Sequence, residues 1–128
     1  MWLWDSDLRR LGFRRPGDRC WLCSRRWGLQ PPDHLSIFPW SELKDRTGPR
    51  LVELTEFHVT FVVGWERLHF YYHEMEPGDW QPGGHTSRGE LRRLGCDPRS
   101  LRDRADSVAA QFIAALGGRC QARRARRR

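Results

Sequence analysis

From Leu51 to Glu74 the chain alternates apolar and polar residues with a period of two, and most of them are β-branched or aromatic. That is the signature of a half-buried β-hairpin, with strands over about 51–63 and 68–74 and Gly64-Trp65-Glu66-Arg67 as the turn. If Gly64 faces Arg67, Val63 opposes Leu68, Phe61 opposes Phe70 and Val59 opposes Tyr72. Phe57, Val59, Phe61, Val63, Leu68, Phe70 and Tyr72 then share one apolar face, which must point to the core. Glu56, His58, Thr60, Val62, His69, Tyr71 and His73 share the other. In this pairing His58 lies directly opposite His73.

After residue 86 the period changes to three and four. Ser87 and Glu90 have capping-box spacing, Leu91 and Leu94 point inward, and Gly95 ends a short helix over about 87–94. Asp97-Pro98 opens a second helix, in which Leu101, Ala105, Val108, Ala109, Phe112, Ile113 and Leu116 form an apolar stripe that stops at Gly117-Gly118, giving a helix over about 98–116. Glu76 to Gly84, rich in proline and glycine, is expected to be a loop. The fold class expected is α+β: a small antiparallel sheet packed against a C-terminal helical pair. A lone hairpin is marginal, so a third strand is expected from residues 33–38 or 50–55.

Residues 1–50 carry no comparable periodicity. Gly12, Pro16-Gly17, Pro31-Pro32 and Pro39 interrupt the chain every few residues. A short helix over Asp5 to Leu11 and a helical turn over Ser41 to Asp45 are the elements expected there. Trp2, Trp4, Trp21 and Trp27 sit among arginines, a mixture expected of a loosely wrapped arm covering an edge of the core. The organisation expected is an arm over 1–50, a core domain over 51–118 and an Arg-rich tail over 119–128.

Charge refines this division. The chain has 128 residues and a formal net charge of +7, but the excess lies at the two ends. Residues 1–31 hold seven arginines against Asp5, Asp7 and Asp18, and residues 119–128 hold six arginines and no acid; the centre is slightly acidic. The expected core is therefore not a basic domain. Arg123, Arg124, Arg126, Arg127 and Arg128 form a cationic tail suited to nonspecific, salt-sensitive contact with nucleic acid or an acidic surface. No run of eighteen apolar residues is present and the first ten positions include acids, so the expectation is a cytoplasmic chain without a membrane partner.

Candidate chemistry is concentrated in the hairpin. Directly opposed residues bring their Cβ atoms to roughly 4.5–5.5 Å, close enough for two imidazoles to share a proton or a metal. His58, His73 and His69, with Tyr71 and Thr60 to orient them, are the catalytic candidates for acid-base work, or for zinc-assisted hydrolysis with His69 or His85 as third ligand. Phe57-His58-Val59-Thr60-Phe61 resembles one of the two histidine-x-threonine motifs of the two-histidine phosphoesterases. That resemblance spans five residues and implies phosphoesterase-like chemistry; at Leu68-His69-Phe70-Tyr71 a tyrosine stands where the second motif has serine or threonine.

Cys20-Trp-Leu-Cys23 has the spacing of half a zinc site, with no second pair, so zinc would have to recruit Cys96, Cys120 or His85. Gly83, Gly84, Thr86 and Ser87, before the first C-terminal helix, form a candidate anion-binding turn. No complete catalytic signature is present. The function expected first is therefore an accessory or interaction module that binds a protein or acidic partner through the His/Tyr/Thr sheet face, ahead of a hydrolase centred on His58 and His73.

Overall fold

Two residues, Gly64 and Trp65, make the hairpin turn in the computed structural model, which describes residues 1–17, 19–44, 48–83 and 87–120. Gly64 has φ +61 at the first central position, where a two-residue hairpin loop needs a residue free to enter the left-handed region. The turn joins β6 (Glu56–Val63) to β7 (Glu66–Glu76); β7 is longer and the turn tighter than expected. Val63 pairs with Glu66, Phe61 with Leu68, Val59 with Phe70 and His58 with Tyr71. The expected register is corrected by two residues. Because side chains alternate with a period of two, an even shift leaves every residue on its predicted face and changes only its partner. Phe57, Val59, Phe61, Leu68, Phe70 and Tyr72 are accordingly all buried.

The remaining strands are β1 (Trp2–Trp4), β2 (Trp21–Cys23), β3 (His34–Ile37), β4 (Ser41–Lys44), β5 (Arg50–Glu53), β8 (Asp79–Gly83) and β9 (Arg119–Cys120); the helices are α1 (Asp5–Arg10), α2 (Arg88–Arg93) and α3 (Pro98–Ala115). The mixed α+β architecture agrees with expectation, but there are two sheets. One is antiparallel in the order β1-β5-β4; the other is antiparallel in the order β2-β3-β6-β7-β8, extended by a short parallel pairing of β8 with β9. The third strand does come from 33–38, as β3 on the open edge of β6. The strand expected over 51–63 is divided at Leu54-Thr55, and its first part, β5, belongs to the other sheet.

Two further segments differ from expectation. Residues 76–83 are not a loop: Pro77-Gly78 turns the chain and β8 returns along β7, placing Trp80 fully inside the core. Trp80 takes the buried alternate position of that strand, a drive that outweighs the local Pro and Gly content. Ser41 to Lys44 is strand rather than helical turn, because β5 offers it a ladder.

Residues 1–50 are the largest departure. Leu8, Phe13, Trp21, Cys23, Leu29, Leu35 and Ile37 all lie in the core. Phe13 and Trp27 meet the ring of Phe112 on α3 at 5.4 and 5.3 Å, and Phe112 meets Phe57 of β6 edge-on at 4.8 Å. The aromatic residues of an expected arm are in fact the packing between α3 and the sheet. Trp2 and Trp4 remain 44% and 47% exposed on the outer side of the small sheet.

The C-terminal helices form as their caps predict. Ser87 Oγ accepts from the Glu90 amide and Asp97 from the Arg99 amide, with Pro98 in the first turn. Gly95 and Gly117 have φ +75 and +81 and end the two helices. α3 lays its buried stripe on the core side of β6 and β7.

Glu42 ties the small sheet to the large one. Its carboxylate accepts from Arg15 at 2.7 Å, Arg50 at 2.8 Å and the Trp21 indole at 3.1 Å, while the guanidinium groups of Arg9 and Arg15 lie 5.2 and 5.6 Å from the centroid of the Trp21 ring. Burial by itself would raise the Glu42 pKa, but the hydrogen bonds from Arg50, Trp21 and Arg15 outweigh it and hold the carboxyl below its ordinary value of 4.5. A carboxyl depressed in the folded state adds stability above the unfolded pKa and loses it as pH falls through the folded one. Urea melts should therefore weaken below about pH 4.5, and Glu42→Gln should be less stable at neutral pH with a flatter profile in that acid window. Identical pH slopes for the two proteins would show that Glu42 is not part of the acid response.

Candidate functional site

Three rows of paired residues, polar but for Gly83, cross the face of the large sheet that points away from α3. Ser36, His58, Tyr71 and Gly83 form the first, running from β3 through β6 and β7 to β8. His34, Thr60 and His69 form the second, and Glu56, His73 and Gln81 the third. All five candidate residues of the hairpin, His58, Thr60, His69, Tyr71 and His73, therefore share this face. The β3 contribution depends on a strand pairing that residue spacing alone does not specify.

Each imidazole has a different environment. His69 Nδ1 and the Thr60 hydroxyl share a hydrogen bond of 2.8 Å, and Thr60 is completely buried, so its ring is held at the base of the face. His58 is packed by Tyr71 at 4.0 Å and by Phe38 at 5.1 Å between ring centroids, leaving its side chain 14% exposed. His73 lies over Gly83, where an added Cβ would be 2.6 Å from its Nε2. The absence of a side chain at Gly83 makes room for that ring.

The expected opposition of His58 and His73 is corrected by the register: Tyr71 faces the first and Glu56 the second. The two imidazoles are connected differently, through one carboxylate. Glu56 Oε1 is 3.5 Å from His58 Nε2 and 3.7 Å from His73 Nδ1. These separations suit ion pairing when a ring is protonated and are too long for good hydrogen bonds. Among the described residues no group of three His, Cys, Asp or Glu side chains has a geometry that could hold a metal. Sequence reasoning placed Glu56 on this face without assigning it a role, and it missed Phe38, whose signal is its position just after an alternating His-Leu-Ser-Ile strand.

The other candidates separate. Cys23 is a core residue of β2, its Sγ directed at the Leu11 carbonyl at 3.7 Å, while Cys20 precedes the strand and is half-buried. Burial pushes the Cys23 thiol up, and the Arg26 charge and the Arg25 backbone counter this only in part. Such a thiol stays protonated at neutral pH, unlike the low-pKa cysteines of thiol-disulfide chemistry. Gly83 belongs to β8, and Ser87 already caps α2. Gly84, His85 and Thr86 lie outside the described residues, as do Arg123, Arg124, Arg126, Arg127 and Arg128.

The face thus offers aromatic and imidazole rings, hydroxyl groups and one carboxylate. A concavity of about 850 Å³ lies elsewhere, beside α2 and the start of α3. No helix among the described residues is long and apolar enough to cross a membrane. Compared with known protein families, with curated proteins and with solved structures, the chain shows no match in any of the three.

Proposed function

We propose that this protein is a binding module that receives a protein partner on the His/Tyr/Thr face of its large sheet. The observation that carries this reading is the run of neighbouring rings from Phe38 through His58 to Tyr71 and His69, with successive centroids 4.0 to 6.2 Å apart and Phe38 itself 49% exposed. Rings with polar edges bury large area at low entropic cost and form the centres of protein interfaces. The rigid sheet beneath holds them in place before a partner arrives, which lowers the ordering cost of association.

A photoreactive phenylalanine analogue at position 38 tests this directly. Illumination in cells should give discrete protein adducts from position 38 that are missing when the same analogue replaces Ser107, an exposed residue of α3. The proposal fails if position 38 yields no adduct, or the same adducts as position 107.

A further inference from the structure

Four arginines surround the concavity of about 850 Å³ between α2, the first turns of α3 and β7: Arg88, Arg92, Arg99 and Arg102. Asp97 and Asp103 also line it, and Asp106 behind it pairs with Arg102, which together still leave a formal excess of positive charge. Asp97 is committed to capping α3 through the Arg99 amide. Among the described residues no ion pair joins Arg88, Arg92 or Arg99 to a carboxylate. Arg88 and Arg92 are one helical turn apart, as are Arg99 and Arg102, so each helix places like charges side by side. Such pairs are mutually unfavourable until an anion neutralises them.

Arg102 is the ordered member of the group. Its Nε is 3.4 Å from Asp106 Oδ1, Nη1 reaches the Gly83 carbonyl at 3.5 Å, and its guanidinium lies over Phe70 and Tyr72 at 5.4 and 5.8 Å from the ring centroids. Phe70, Leu91 and Pro98 supply apolar wall. The lining is mainly charged, with a small apolar floor, a composition that suits a small anionic ligand with an apolar part.

We propose that this groove binds a phosphate monoester carrying an apolar or aromatic group. A phosphoryl anion answers the excess of positive charge, guanidinium forks on two helices match its several oxygens, and the small apolar floor accepts a ring attached to it. This site is separate from the sheet face and does not depend on the binding reading given above.

Isothermal titration of the whole chain at low ionic strength, with phenyl phosphate and inorganic phosphate as probes, tests the proposal. Phenyl phosphate should bind more tightly than inorganic phosphate, the affinity should fall with added salt, and the double variant Arg92→Gln/Arg99→Gln should bind at least about tenfold more weakly. Both arginines are exposed, so the variant should keep its melting temperature, and it retains the cationic tail as an internal control. Phenyl phosphate binding no tighter than inorganic phosphate, or binding that persists undiminished in the double variant, would overturn the proposal.

Discussion

Phe112→Ala should lower the unfolding free energy by about 3–5 kcal/mol, the usual loss for a large aromatic ring removed from a packed core. Phe112 is completely buried and meets Phe13, Trp27 and Phe57, so it joins α3 to both the N-terminal segment and the large sheet. Phe112→Leu keeps most of the volume and should cost much less. Urea denaturation followed by tryptophan fluorescence measures both. A double-mutant cycle with Phe13→Ala then reports whether the first fifty residues share the cooperative unit. Coupling is expected, because contacting residues rarely act additively. Additive losses would mean that Phe13 is not energetically part of the core.

Asp106→Ala should cost about 1.5–3 kcal/mol, the range for hydrogen bonds to a charged group. Asp106 is 5% exposed and accepts from the Tyr72 hydroxyl at 2.6 Å in a buried contact, with Arg102 3.4 Å away. Truncating the acid takes a strong acceptor from a phenol that is itself fully buried. Tyr72→Phe made in the Asp106→Ala background should then add little, because removing both partners avoids a stranded polar group. Chemical denaturation of the four proteins in the cycle decides it, and full additivity would be evidence against the pair.

Much of the outline was legible in the chain. The helix ends followed from Ser87, Gly95, Asp97-Pro98 and Gly117, since capping is local chemistry and needs no distant partner. The division of the hairpin into an apolar and a polar face followed from alternation, and it survived a change of register because that change was even. What was lost was the identity of neighbours. A four-residue turn was expected where Gly64 and Trp65 suffice, so His58 was assigned to His73 when its partner is Tyr71.

The N-terminal half was misread for a different reason. β2 has three residues and β3 four, with prolines and glycines between; β3 was expected only as one of two choices for a third strand, and β2 carries too little periodicity to be seen alone. They become strands because β6 offers β3 an unpaired edge, β3 in turn offers one to β2, and Trp21, Leu35 and Ile37 gain burial there. β8 is a similar case, with Trp80 outweighing the turn-forming residues around it.

By itself, then, the sequence determined the helices, their caps and which side of the hairpin is wet, because these depend on residue type and on steps of two, three or four. The tertiary structure alone decided that His58 and His73 share Glu56, that Phe38 joins the ring run, and that arginines from two helices surround one groove. Those relations link residues far apart along the chain, and strand pairing and helix packing set them through burial that no local pattern encodes.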